Sequence, residues 1–287
     1  MLKNYSDRVK VTYEFMKSTL EFTDANATTI KQKRQENEAQ FQPNKNYTLQ
    51  WEVDNSVKDP FTFLGYEAGY KKSEATTGQR LFYDRNKPFK KEVAFFPQYK
   101  SVKDVTIPKA YVIPRGFWPV IELLKSNGII CQPIPKDTTI EVESYRIIDY
   151  KTTPSAYEGH YIHRNTVVAS KTEKLAFAKG DYIVPTQQKG IKYLLETLEP
   201  EAIDSYFNWN FFDPILQQKE GYSDYVFEDT AAQLLKDNPK LKSDLEVKKQ
   251  KEPEFLNNPK AQLDWMYKQS AYYEKAHLQY PVYRINN

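Results

Sequence analysis

The sequence predicts an α+β protein with an N-terminal helix, a β-rich, sandwich-like middle containing one α/β insert, and a helical C-terminal region. Three observations carry this expectation. Val9, Tyr13, Met16 and Leu20 recur at helical spacing. From Pro43 to Pro185, short aromatic runs alternate with polar residues and are punctuated by glycine, proline and asparagine, as half-buried strands and their turns are. Beyond Pro185 the apolar spacing becomes helical again. These changes of character set three segments, 1–41, 42–186 and 187–287.

The first helix is expected to start from a cap at Ser6, and the stretch from Asp24 to Gln40 is polar with Ile30 almost alone. One apolar stripe on such a helix needs a surface to cover it. Tyr47, Leu49, Trp51 and Val53 then alternate with polar residues, and short aromatic strands follow around Phe61–Leu64, Arg80–Tyr83 and Glu92–Phe96. Ala110–Ile113 reads as a strand stopped by Pro114. Phe117, Ile121 and Leu124 form a helical stripe closed by Gly128, and Ile129–Ile134 returns as a strand, so this piece is a strand–helix–strand crossover. Thr139–Tyr150 is a long strand whose apolar phase shifts near Ser144, which suggests a bulge.

Strands are expected at Tyr157–Ile162 and Thr166–Ala169, and a hairpin-like turn at Lys179–Gly180. Ile191, Leu194, Leu195 and Leu198 mark the next helix. Ser223 and Asn258–Pro259 open two more, and the tail from Tyr280 to Ile285 reads as a short edge strand.

Composition narrows the function classes. Hydrophobic residues make up 40% of the 287, and aromatics 15%, with 22 Tyr and 16 Phe. That is enough apolar surface to offset chain entropy, despite a mean hydropathy of −0.75. The net charge is +3, from 41 basic and 38 acidic residues mixed along the chain, which is not the footprint of a nucleic-acid binder. No run is long and apolar enough to span a bilayer, and the first residues hold no apolar signal core. A single cysteine, Cys131, excludes an intrachain disulfide and a thiolate cluster, and its apolar neighbours make it a structural thiol.

Candidate chemistry is sparse. Among His160, His163 and His277, the densest group of possible ligands is Glu158-Gly-His160-Tyr-Ile-His163. On the expected strand, Glu158 and His160 share a face while His163 points away, so the set falls short of the three converging ligands zinc needs. Glu141 and Glu143 would share one strand face, with Asp149 further along. They are either an acid/base pair or a solvated face. The aromatic patch from Phe207 to Leu216, with Trp209, Asn208, Asn210 and Asp213, can stack a sugar or peptide ring, or plug a core. There is no Gly-x-Ser-x-Gly elbow and no phosphate-binding glycine loop.

Several stretches resemble the C-terminal region of bacterial zinc carboxypeptidase-like metallopeptidases of the carboxypeptidase A superfamily. They are Pro108–Pro114 with Trp118, Leu124–Ile129, Asp137–Glu143, Tyr157–Tyr161, Gly180–Thr186, Glu196–Pro200, Phe211–Gly221, Tyr225–Glu228 and Tyr280–Tyr283. The resemblance implies that 1–41 is the terminal helix of an α/β catalytic domain, that 42–186 is a β-rich accessory domain, and that 187–287 is a helical extension packing on it. It also implies that the catalytic Glu and the His-x-x-Glu zinc motif precede Met1. No His-x-x-Glu occurs in the chain, so no catalytic or metal residue is carried over.

The expectation is a non-catalytic portion of an exported enzyme, periplasmic or extracellular, that holds no cofactor itself while its parent holds zinc. Its partners would be the upstream catalytic domain and that domain's peptide substrate. The rival reading is a stand-alone β-sandwich module binding carbohydrate or peptide through Trp51, Tyr66 and Trp209. Glu158, His160, His163 and Trp209 are the candidate binding residues.

Overall fold

A computed structural model describes residues 4–286 of the chain. In order, its elements are α1 (Tyr5–Ala25), α2 (Ala27–Glu38), β1 (Asn46–Val53), β2 (Asp59–Lys72), β3 (Gln79–Phe95), β4 (Tyr99–Thr106), β5 (Ala110–Ile113), α3 (Trp118–Ser126), β6 (Gln132–Pro133), β7 (Thr138–Thr152), β8 (His163–Phe177), β9 (Tyr182–Pro185), α4 (Ile191–Leu198), α5 (Asp224–Asp237), α6 (Pro239–Lys251), α7 (Pro253–Leu256), α8 (Pro259–Lys268) and β10 (Tyr283–Ile285). The mixed α+β class holds, with helices at both ends of the chain. Two compact units result. One runs to Lys45 and resumes at Ile107; the other is Asn46–Thr106.

The larger unit is built on a six-stranded sheet of order β6-β9-β5-β10-β7-β8, with every neighbour antiparallel. Both β5 and β6 pair β9, so they run parallel to each other with α3 as their crossover. Val112, Ile134, Val142 and Phe177 pack together on the sheet. Ile191, Leu194, Leu195 and Leu198 of α4 are buried, each worth about 1.5–3 kcal/mol of transfer free energy. The last four helices gather around Phe227, Ala231, Leu245, Phe255, Leu263, Met266 and Tyr267. Asn238 and Asn258, each before a proline, accept from the amides of Leu241 and Ala261 and so cap α6 and α8. Ser223 sits at the start of α5 but makes no side-chain cap bond.

Four local expectations are corrected. Asn4 caps α1, accepting from the Asp7 amide at 2.9 Å; Ser6 lies within the helix. The bulge in β7 falls at 147–151 rather than at Ser144. The apolar phase shifts near Ser144 because both faces of β7 are covered, so Ser144 and Tyr145 are buried on opposite sides. Gly180 does sit in a tight turn with φ 93°, but β8 and β9 do not pair. The Asp181 carboxylate, accepting from the amides of Ala178 and Arg115, turns the chain toward the far side of the sheet. The tail strand β10 is interior, lying between β5 and β7.

The smaller unit is one long antiparallel arm. β1 pairs β4, β2 pairs β3, and the turn closes where the Ser73 amide donates to Gly78 O. Phe63 and Phe89 cover Gly65, where a Cβ would lie 2.7 Å from the Phe89 ring.

Candidate functional site

Residues 157–160, expected as a strand, form a two-residue turn. Tyr157 and His160 exchange both backbone hydrogen bonds at 2.9 Å, and Glu158 (φ 50°) and Gly159 (φ 83°) are both left-handed. This is the type I′ pattern, for which Asn-Gly is the preferred pair and Glu an unusual first residue. Gly159 explains why a turn wins over a strand here. Glu158 and His160 therefore do not alternate along a sheet face.

His163 opens β8 and is buried, edge-on to Tyr150 at 4.8 Å and against Phe207 at 5.1 Å. Its Nε2 lies 3.0 Å from Asp213 Oδ1, and its Nδ1 lies 2.9 Å from Thr152 Oγ1. A carboxylate only accepts, so in the neutral ring Nε2 carries the proton and Thr152 donates to Nδ1. The order hydroxyl, imidazole, carboxylate is that of a nucleophile relay. Here, however, the ring is enclosed by Tyr150 and Phe207, and the string ties the end of β7, the start of β8 and the turn at Asp213 together. Among the described residues, no three His, Cys, Asp or Glu side chains gather as a metal-ligand group, so Glu158, His160 and His163 do not converge.

The aromatic patch divides by depth. Phe207 and Phe212 are fully buried, and Tyr280 meets both edge-on. Trp209 instead comes near the surface. Its Nε1 lies 3.3 Å from Asp204 Oδ1, and its ring meets His160 edge-on at 5.5 Å and Tyr157 at 6.3 Å. The loop that presents Asp204 and Trp209 is tied internally. Asn208 is buried, donates to the carbonyls of Ala202 and Ile203, and accepts from Thr166 Oγ1 at 2.8 Å. A pocket of about 570 Å³ opens beside it, lined by Tyr157, Glu158, Ile162, Arg164, Ile203, Asp204 and Trp209. Glu158 and Trp209 thus both line it, and His160 lies against the indole. His163 points elsewhere.

Of the two readings of Glu141 and Glu143, the acid/base pair fails and the solvated face holds for Glu141 alone. Glu141 is exposed, while Glu143 Oε2 is 2.5 Å from Arg284 Nη1 and accepts from Asn286. Asp149 accepts from the neighbouring Tyr150 amide. Sequence reasoning missed a buried polar group centred on Arg284 (4% exposed) and Glu199 (1%). Arg284 Nε lies 3.2 Å from Glu199 Oε1, its Nη1 donates to Tyr145 OH, and Tyr111 OH donates to Glu199 at 2.6 Å. Burial pushes the Glu199 carboxyl above its ordinary value, against the pull of Arg284 and Tyr111. Tyr111 and Tyr145 are likewise raised, mainly by burial. A charged residue in the otherwise apolar Val282–Ile285 run was the one sequence signal for this group. Cys131 is half-buried, and burial pushes its thiol up, away from nucleophile chemistry.

No family model matches the chain, and no solved structure matches it. Among curated proteins it is 29% identical over 100 residues to the Carboxypeptidase 2 proteins of Trichophyton tonsurans, Trichophyton rubrum and Trichophyton equinum. The matched stretch is 34% of this chain and 18% of each relative, so the chain spans about a fifth of their length. Over that stretch it is carboxypeptidase-like.

Proposed function

We propose that this chain is a non-catalytic C-terminal portion of a zinc metallocarboxypeptidase whose parent hydrolyses C-terminal peptide bonds. Its role is structural: it packs beside the zinc-bearing catalytic domain and shapes the path of the peptide substrate. The observation that carries this reading is the local match to three carboxypeptidases. Two features support it. The chain has no His-x-x-Glu, the pair that would hold zinc and supply the general base. Helix α1 buries none of its 21 residues and leaves Tyr13, Phe15, Met16 and Leu20 exposed, as a helix made for another domain's surface would. The parent is exported, periplasmic or extracellular. No helix among the described residues is long and apolar enough to cross a membrane.

The test has two arms. The pure chain, incubated with N-blocked dipeptides, should release no C-terminal amino acid and should carry no stoichiometric zinc by elemental analysis. Joined to the reading frame that precedes it in its gene, it should release C-terminal residues in a chelator-sensitive way. Zinc-dependent release by the chain alone, or an upstream frame with no zinc motif, overturns the proposal.

A further inference from the structure

We infer that the pocket beside Trp209 is a binding site for a neutral carbohydrate, with Trp209 and Tyr157 as the stacking walls and Glu158, Arg164 and Asp204 as the polar groups that grip hydroxyls. The inference is independent of the peptidase reading.

The pocket has the size of a small-ligand site, whose usual range is roughly 300–1,000 Å³. Its aromatic walls are set before any ligand arrives. Trp209 is oriented by Asp204 and His160, and His160 is itself stacked on Phe211. The loop beneath is held by the Asn208 bonds and by Ser205 Oγ donating to Pro200 O. The indole therefore needs little further ordering on binding. Tyr157, 60% exposed, offers the second ring at 52° to the first.

Charge selects the ligand class. The Glu158 and Arg164 side chains have no hydrogen bond or ion pair with another described residue, although both line the pocket. The lining carries two carboxylates and one guanidinium, so its net negative charge disfavours a simple anion. A zwitterion would depend on exposed ion pairs, which are weak in water. A neutral ring bearing both hydroxyl donors and acceptors satisfies all three groups, while its C–H face lies on the indole.

The backbone adds an independent pointer. Glu158 is held at φ 50°, a conformation that Asn or Gly adopts more readily, at the first central position of a type I′ turn. A strained residue at the mouth of a pocket is the arrangement expected where its side chain serves the pocket rather than the turn.

This separates fold from function in a single substitution. In Glu158→Asn the turn gains its preferred Asn-Gly pair, so thermal stability should hold or rise, while the longer charged side chain is lost from the pocket. Isothermal titration of the full chain with cellohexaose, xylohexaose and mannohexaose should show saturable binding to at least one. Trp209→Ala and Tyr157→Ala should each weaken it by about tenfold, the loss expected for one stacking contact. Glu158→Asn and Arg164→Ala should each weaken it by about threefold or more, as loss of one hydrogen-bonding side chain does. The inference is overturned if none of the three oligosaccharides binds, if binding is unchanged in Glu158→Asn and Trp209→Ala, or if only an acidic oligogalacturonate or free tyrosine binds.

Discussion

The sheet unit and the arm are written in the same residues and use them oppositely. Both are antiparallel, and both are rich in Tyr and Phe. In the sheet unit, Tyr111, Tyr145 and Tyr280 are buried and their hydroxyls tied to Glu199, Arg284 and Leu198 O. In the arm, Phe61 pairs with Phe95 and Phe63 with Phe89 across two strands, yet all four rings stay exposed. Alternation reports which residues share a face, and says nothing of whether that face is covered. In the larger unit α4 supplies cover, with Tyr280 OH donating to Leu198 O at its end and Tyr111 OH to Glu199 just beyond. That unit's stability should therefore rest on buried, mutually dependent groups, and the arm's on local cross-strand pairs.

Removing the arginine at the centre of the buried group tests this most severely. Arg284→Ala leaves Glu199 buried without its counter-charge, and breaking such a pair costs about 3–5 kcal/mol. The expected result is a large fall in the urea midpoint of tryptophan fluorescence, or loss of soluble protein. An effect under about 1 kcal/mol would show the pair to be solvated. Glu199 also leaves a signature in pH. Its folded pKa is raised above 4.5 by burial, so the folded state holds that proton more tightly than the unfolded state. Its contribution is fully present below the unfolded value and is lost as pH rises through the folded one. Glu199→Gln keeps the neutral form at every pH. Relative to the parent protein, its midpoint should therefore shift in the variant's favour as pH rises from about 4.5, on top of the fixed cost of losing the ion pair with Arg284; a flat difference refutes the burial argument.

The Arg284 group also shows where sequence reading stops. The cap-and-proline start of α8, the α4 stripe and the β5–α3–β6 crossover were legible because their determinants lie within a few residues. The placement of β10 was not, since its partners Val112 and Glu143 lie far back in the chain, and an edge and an interior strand of three residues look alike. Asp181 is similar: its hydrogen bond to the Arg115 amide, which makes the 178–181 turn a departure rather than a hairpin, spans 66 positions. At the candidate site, Glu158, His160 and Trp209 were named, and the structure brings them to one place. Arg164 and Asp204 were not singled out, because only the fold sets them on the same pocket.

An intermediate case is Asn208, which sits below the pocket in the larger unit. Asn208→Ala removes two donors to the carbonyls of Ala202 and Ile203 and strands the Thr166 hydroxyl. A buried polar group left without its partner costs about 1–3 kcal/mol. Thr166→Val should cost less, and the double variant less than the sum, because the two share one hydrogen bond. Strict additivity in that cycle would show that the bond does not hold the loop.

The mildest effect belongs to the arm. Phe63→Ala removes an exposed ring that touches Phe89 at 6.0 Å across the ladder and lies over Gly65. Cross-strand aromatic pairs contribute about 0.2–1 kcal/mol, and nothing buried is left unsatisfied when one is cut. Gly65→Ala should be comparably small, because the new methyl group meets the far end of the Phe89 ring, which has room to swing outward. The two substitutions should couple: once Phe63 is gone, Gly65→Ala loses one of its two clashes and becomes nearly neutral. Hydrogen exchange at Phe63, Leu64 and Phe89 amides reads this directly, with protection falling by less than about fivefold while the amides of β5 and β7 are unchanged. A loss in the arm as large as the one expected from Arg284→Ala would mean that its aromatic faces are covered in solution, and the contrast between the two units would then lie in the partner rather than in the chain.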